Sequence, residues 1–547
     1  MKKGCITFFI FFTCSFLQAQ NVKQLWASCF HENSGGIYPS DMATDKSGNS
    51  YITGYIQDPE YYLLKHYFLL KNNSDGVFQW IRYYPFPDSF SVGNAVAADD
   101  YGNVYVAGQR YDTACNICTI QIPYSYLFTI KYDATGSIVW HNVYDGPKGT
   151  NQEAAELVVT KQGRVYVVAN EKKYIPEIGN YEIKMVTQKI HKSGITGWVK
   201  KKPNAIGNGI ALDKDENVLV AASSSDQNIY QLNKFLTVKY TSTGNLVFEK
   251  TFSEYNKNGN AYSIAADTAG NIYVNGQSDT IAFYNNPQIL TLKYSSAGDF
   301  IWWKKEADHS YTLPHYYGSY AIDAKGNSYI TGYLKITDVN RDWTVVKRNP
   351  NGKILWQVQY DGDGHAEDVP CNVKVDASGN VFVTGYSYRN KSYAGATIQY
   401  DKAGIQQWIK FYKTAPRTNY FPVGLGLDDD GNAYVAGGGN DSLCTIKYGK
   451  KINVPAIDEN ISQPRRTFGL YPNPSSGTLI LNVAGLTPGK YTCNIYSNTG
   501  QLMMSTRVDV YDNKDMHTLQ LENLRAGMYM LQLTDGKNML SQKFLKE

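Results

Sequence analysis

Charge of a single sign is nearly absent from this 547-residue chain, in which 53 Lys and Arg stand against 49 Asp and Glu, a net +4. Nucleic-acid binding calls for a basic excess, so nucleic acid is excluded as a principal partner. Beyond the first twenty positions no stretch approaches 18 apolar residues, which excludes a membrane-spanning helix there. The eight histidines form no HExxH or other metal-ligand spacing, and neither a nucleophile elbow nor a phosphate loop occurs. Proline is scarce as well, 19 residues beside 47 glycines. What is abundant is tyrosine, with 45 residues. So many aromatics exclude disorder, and Tyr and Gly with little Pro favour many short strands joined by tight turns. The length exceeds one ordinary core and calls for several domains or one repeat array.

Residues 1–19 read as a secretory signal: Lys2 and Lys3, an apolar run from Ile6 to about Leu17, then small or polar residues with cleavage near Ala19. The run is too short for a membrane span of ~20 residues. Cys14 lies inside it rather than at a junction, which argues against a lipid anchor.

One segment then recurs: DKSGNSYITGY (45–55), DDYGNVYVAGQ (99–109), TKQGRVYVVAN (160–170), DKDENVLVAAS (213–223), DTAGNIYVNGQ (267–277), DAKGNSYITGY (323–333), DASGNVFVTGY (376–386) and DDDGNAYVAGG (428–438). Successive copies start 54, 61, 53, 54, 56, 53 and 52 residues apart, a period that marks a propeller or solenoid. Asp followed by Gly is hairpin-turn chemistry: the carboxylate bonds its own backbone and Gly accepts φ > 0. The alternation that follows puts one aromatic per unit (Tyr51, Tyr105, Tyr166, Tyr273, Tyr329, Phe382, Tyr434) on the same strand face. A second hairpin follows in each unit, as in LFTIKYDATGSIVW (127–140), with Gly four residues before an aromatic. Two hairpins make four strands, one propeller blade.

The ends of the array fix the count. The eighth unit stops at CTIKYGK (444–450) without its Trp strand, and QLWASCF (24–30) carries Trp26 at the missing position. A ring closed by strands from both termini has no exposed sheet edge. The expectation is an all-β chain: an eight-bladed propeller over 20–449, the N-terminal strand completing the last blade, a linker over 450–466 and a small Ig-like β-sandwich over 467–547. Seven blades, with the unit around 213–223 distorted, is the alternative.

In such a ring both short turns fall on one face and both long connections on the other. The long-loop face gathers 55–67, 109–126, 306–320 and 412–424, where much of the Tyr excess lies. Loops on a rigid ring are where binding residues concentrate, and Tyr pairs a stacking face with a hydroxyl. Candidate binding residues are Tyr61, Tyr62, Tyr111, Tyr126, His309, Tyr311, His315, Tyr316, Tyr317, Tyr388 and Tyr420. Packing of these tyrosines against the disc is the bland alternative for each.

The unit AxDxxGNxYVTG resembles the SBBP-type bacterial β-propeller repeat of exported proteins, in all eight copies. The resemblance implies a propeller but no fixed activity. The C-terminus resembles the type A sorting domain of the type IX secretion system of Bacteroidota. The matching pieces are Tyr471-Pro472-Asn473-Pro474 with Gly477, the turn from Tyr496 to Gly500, Leu524 to Tyr529 with Gly527, and the terminal Lys543 and Lys546. It implies passage through the periplasm, the type IX machinery as partner, removal of this domain, and release or attachment at the cell surface.

Five cysteines then remain in an oxidising compartment: Cys29, Cys115, Cys118, Cys371 and Cys444. Cys29 on the closing strand and Cys444 on its partner fall on one sheet face about two residues out of direct register, as a clasp disulfide or two buried thiols. Cys115 and Cys118 form a local disulfide candidate. No cofactor is expected; calcium at Asp428, Asp429 and Asp430 or at Asp361 and Asp363 is the alternative to turn chemistry, and the EF-hand ladder is absent. The functional expectation is a secreted or surface-held, monomeric propeller that binds a glycan or protein through its Tyr-rich face. The competing reading is a propeller enzyme acting on polysaccharide or another exported substrate.

Overall fold

The computed structural model describes residues 22–546 except 32–35, 58–64, 85–89, 112–123, 225–232, 255–256, 281–287, 306–310, 313–319, 336–339, 364, 416–417, 440–441, 451–467, 472–474, 476, 484–485, 487, 498–500, 512–515 and 537–538. The described residues contain no α-helix. Residues 22–450 form eight antiparallel sheets in chain order. The first is built from Ile37–Thr44, Ser50–Gln57, Lys65–Asn72 and Phe78–Tyr83, and the next four repeat that meander over 91–144, 151–203, 205–252 and 257–305. In the sixth, two short pieces, Tyr311–Thr312 and Tyr320–Ile322, share the inner position beside Ser328–Lys335. The seventh runs over 368–412. In the eighth, Phe421–Leu427, Ala433–Gly439 and Ser442–Lys450 are joined by Val22–His31 as the outer strand. The first strand of each sheet packs on the first strand of the next, and Phe421–Leu427 packs back on Ile37–Thr44. This is the arrangement of a β-propeller.

A turn, an aromatic and a cation recur together in most of the sheets for one reason. Asp45 accepts the Asn49 amide at 2.9 Å and the Tyr51 hydroxyl at 2.8 Å, which ties the first hairpin turn to the strand after it. Asp99, Asp267, Asp323 and Asp428 take the hydroxyls of Tyr105, Tyr273, Tyr329 and Tyr434 in the same way. These tyrosines are fully buried. Over them lie lysines of the third strands, such as Lys293 at 4.8 Å from the Tyr273 ring and Lys347 at 5.0 Å from Tyr329, in cation–π geometry. The lysines continue into the next sheet, where Lys293 and Trp302 both donate to the Pro350 carbonyl at 2.9 and 3.0 Å.

The outer hairpins interlock the sheets. Gly194 sits at φ +85 beneath Trp140 of the preceding sheet, and a Cβ there would meet the indole at 2.7 Å. Gly76 stands in the same relation to Trp26. Because Trp26 belongs to the N-terminal strand of the eighth sheet, this contact joins the last sheet to the first.

Cys29 and Cys444 are direct register partners, with Cα atoms 4.1 Å apart and a disulfide between them. The two-residue offset expected from the sequence does not arise: Trp26 stands opposite Lys447 as Trp140 stands opposite Lys131, and the unbroken register from there puts Cys29 directly opposite Cys444. Cys371 is a buried thiol, its pKa pushed up to about 12 by desolvation. Cys115 and Cys118 lie outside the described residues.

The C-terminal region has its own core. One sheet of Gly469–Tyr471, Thr478–Asn482 and Met516–Gln520 and another of Leu502–Val510, Gly489–Ser497, Gly527–Thr534 and Met539–Lys546 bury Leu479, Leu481, Ile495, Leu531 and Phe544 between them.

Candidate functional site

Each sheet is a meander, so the two short turns of every unit share one face, and the two remaining connections share the other. The short-turn face is tied down: its tyrosines Tyr51, Tyr105, Tyr273, Tyr329 and Tyr434 are buried and spend their hydroxyls on turn aspartates. The ends of the strands on the long-connection face carry a different set. Tyr38, Tyr83, Tyr124, Tyr174, Tyr181 and Tyr388 all lie at that end and are 37–48% exposed. Tyr101 is the counterexample, an exposed tyrosine on the short-turn face.

The sequence candidates separate on inspection. Tyr388 is on the surface and meets Tyr393 edge to face at 5.2 Å. Tyr126 is half-buried beneath the Arg110 guanidinium at 4.9 Å, and the Tyr111 hydroxyl accepts from Gln109 at 2.7 Å. Tyr420 is no surface residue: it is fully buried and donates to the Cys444 carbonyl at 2.8 Å, so it backs the clasp strand. Tyr61, Tyr62, His309, His315, Tyr316 and Tyr317 lie outside the described residues. Tyr311 pairs with Leu334 in its strand, and its side chain is not described.

Sequence reasoning missed the aromatic and charged neighbourhood around Tyr388. Tyr386 meets Tyr393 and Phe421, and Tyr388 meets Tyr393, edge to face at 5.1–5.3 Å, and Tyr393 lies tilted against Phe421 at 5.4 Å. Tyr393 donates to Glu367 at 2.8 Å, and Glu367 also pairs with Arg341. Arg389 pairs with Asp363 and lies 3.8 Å over the Phe411 ring. Below them Asp368 accepts the Gly362 amide at 2.7 Å, and burial lifts its pKa to about 6. The signal for this cluster is spread over six strands and three sheets, which no single stretch of sequence displays.

The second missed feature lies on the axis. The first strands carry a bulge at the same register: between Pro39 and Asp41, Gly93 and Ala95, Ala154 and Glu156, Gly207 and Gly209, Ala261 and Ser263, Pro370 and Asn372, and Pro422 and Gly424. A bulge leaves backbone groups of the inner edge unpaired. Asp41 accepts the Val96 amide of the second sheet at 2.8 Å, and Glu156 accepts the Ile210 amide of the fourth at 2.8 Å. Desolvation by the surrounding strands raises Asp41 to about 6 and Glu156 to about 7. Asp41 adds to the lift on Glu156, and Lys374 opposes it on both. One register step further stand Ala43, Ala97, Val158, Ala211, Ala265, Ala321 and Gly426, with Lys374 the single cation. Small side chains there are what close approach of inner strands permits. Among the described residues no group of three His, Cys, Asp or Glu has a metal-holding arrangement.

In the tail, Gly527 pairs with Lys546 and Met530 with Lys543. Tyr529 stacks on Phe544 at 5.6 Å and donates to the Arg525 carbonyl at 2.8 Å. Gly477 leads into Thr478–Asn482, and no atom lies within 4 Å of where its Cβ would be. Pro472, Asn473 and Pro474 lie outside the described residues.

The fold and tail define a propeller-repeat chain that carries an export signal at its C-terminus. Residues 32–59 match the model of a beta-propeller repeat, and residues 469–547 match that of a secretion system C-terminal sorting domain. The sorting domain implies export by the type IX machinery to the cell surface or the medium. Among solved structures the chain is similar to Sqt1 from Chaetomium thermophilum, with 10% identity, a TM-score of 0.45, and coverage of 78% of this chain and 99% of that one. It is also similar to a protein of unknown function from Dyadobacter fermentans, with 10% identity, a TM-score of 0.40, and coverage of 79% and 99%. A polysaccharide lyase, PL25 ulvan lyase, gives 12% identity, a TM-score of 0.39, and coverage of 63% and 89%. No curated protein matches the chain. No helix among the described residues is long and apolar enough to cross a membrane.

Proposed function

We propose that this chain is an exported binding protein: an eight-bladed propeller closed by its N-terminal strand, delivered by an Ig-like sorting domain, whose long-loop face recognises an extracellular glycan or protein. The observation that carries the reading is the segregation of exposed tyrosines. Six lie at the long-connection ends of the strands, while Tyr51, Tyr105, Tyr273, Tyr329 and Tyr434 at the opposite ends are buried and hydrogen-bonded. Tyr at a rigid surface supplies contact area at small entropic cost and a hydroxyl for a sugar or a peptide group. A glycan array and a pull-down with the chain from residue 20 onward, run in calcium-containing buffer, test this. A specific ligand lost in the Tyr38→Ala/Tyr388→Ala double variant is the expected result, and blanks in both assays overturn the proposal.

A second reading has one specific observation in its favour. Asp41 and Glu156 converge on the axis with pKa values of about 6 and 7, a range suited to proton transfer near neutral pH. On that reading the chain is an enzyme acting on exposed polysaccharide or another exported substrate. Turnover that disappears in both Asp41→Asn and Glu156→Gln, with folding retained, would establish it. Capping of inner-strand amides of a neighbouring sheet is the structural account of the same two carboxylates.

A further inference from the structure

The eighth sheet closes the ring without the outer turn that the other seven possess. At every other junction a donor from one sheet reaches into the outer turn of the next. Trp26 donates to Ser74, Lys71 to Ala134, Trp140 to Lys192, Lys239 to Ser296, and both Lys and Trp to Ser242, Pro350 and Lys402. All seven acceptors are the backbone carbonyl of the second residue of a turn. Between the seventh and eighth sheets no such turn stands among the described residues: Ser442–Lys450 and Val22–His31 run on side by side, Gly449 beside Lys23 and Lys450 beside Val22.

A cavity of about 440 Å³ occupies the place of the missing turn. Trp408 and Gln399, which hold the Trp and Lys positions of the seventh sheet and are register partners, both line it. They are 7% and 8% exposed, and neither the Trp408 indole N–H nor the Gln399 amide has a hydrogen-bond partner among the described residues. Neither polar group is sealed from water, so both open onto the cavity, where the carbonyl of a ligand can take the place of solvent. The rim is acidic: Asp376, Asp429 and Asp430 line it together with Asp428, and no Lys, Arg or His among the described residues does. Asp428 is committed to Lys447 and Tyr434, Asp376 accepts the Ser378 and Asn380 amides of its own turn, and Asp429 and Asp430 are exposed.

We propose that this cavity is a binding site for a basic peptide segment. Its backbone carbonyl would take the Trp408 and Gln399 donors, as a turn carbonyl does at the other seven junctions, and its Lys or Arg side chain would meet the Asp376/Asp429/Asp430 rim. The site is on the short-turn face and does not depend on the ligand proposed for the long-loop face. The volume suits a small ligand or a short peptide stretch.

The test uses the full chain and two blocked peptides, acetyl-Gly-Lys-Gly-amide and acetyl-Gly-Glu-Gly-amide, titrated at low salt by calorimetry and ligand-observed NMR. The Lys peptide binds saturably, with a Kd on the order of 1 mM for so small a probe, and the Glu peptide does not. Gln399→Lys places in the cavity the cation the other seven sheets carry there, so it keeps the fold and abolishes binding. Asp429→Asn/Asp430→Asn weakens binding about five-fold, as loss of exposed ion pairs does, and Asp100→Asn on another junction changes nothing. No saturable binding, equal binding of the two peptides, neutral oligosaccharides binding in the peptide's place, or unchanged affinity in Gln399→Lys overturns the proposal.

Discussion

Glu156 shows how a side chain can serve the fold and still be poised for chemistry. Its carboxylate caps the Ile210 amide, and burial lifts its pKa to about 7 against an ordinary glutamate value near ~4.3. The native state therefore holds a proton that the unfolded chain releases. Between pH ~4 and ~7 stability falls as pH rises, and it is regained on acidification through that window. Glu156→Gln should flatten the urea midpoint against pH between 5 and 7.5 and raise stability at pH 8 by about 1 kcal/mol, allowing for water in the channel. At the opposite extreme of chemistry, Gly194→Ala forces φ +85 on an L-residue and drives its Cβ into Trp140. It should lower stability by about 1–3 kcal/mol in the same denaturation assay, and Ala at the open Gly477 in the tail by far less.

The element that decides closure is Val22–His31. It pairs along its length with Ser442–Lys450, and Cys29 is bonded to Cys444 across a sequence separation of 415. Fixing so long a loop constrains the unfolded chain, and reduction should cost about 2–4 kcal/mol. Chemical denaturation with and without reductant measures this, and Cys29→Ser/Cys444→Ser must show the lower stability in both conditions. Intact mass should rise by two hydrogens on reduction for this pair. Tyr420, buried behind the Cys444 carbonyl, belongs to the same element-level device.

For the whole molecule, each sheet holds its neighbour through a Trp or Lys reaching a turn carbonyl, so the ring is a chain of similar junctions closed end to end. Deleting residues 22–31 removes Trp26 from Gly76 and leaves the eighth sheet with three strands. Unfolding should then broaden and begin at lower denaturant, with amide exchange rising first in sheets one and eight. A chain lacking 469–547 should keep the propeller's spectrum and remain inside the cell, where fractionation would find it. Appearance of that truncated chain in the medium would contradict the export assignment.

Sequence periodicity by itself determined the strand pattern, the turn chemistry and the recurring Asp–Tyr pairs, because these depend on neighbours a few residues apart. It also determined the sorting domain, since Leu524 to Tyr529 and the terminal lysines stand close along the chain. The pairing of Cys29 with Cys444 was half legible: the missing Trp strand pointed to the partner, but the direct register, carried unbroken from Trp26 opposite Lys447, shows only in the paired strands. The Asp41, Glu156 and Lys374 convergence, the Tyr386/Tyr393/Phe421 cluster and the cavity beside Trp408 were decided by tertiary structure alone. Ring closure brings Asp41, Glu156 and Lys374, each more than a hundred residues from the next, to one axis, and the packing of neighbouring sheets gathers the others; their interaction depends on distance in space, which no local pattern encodes.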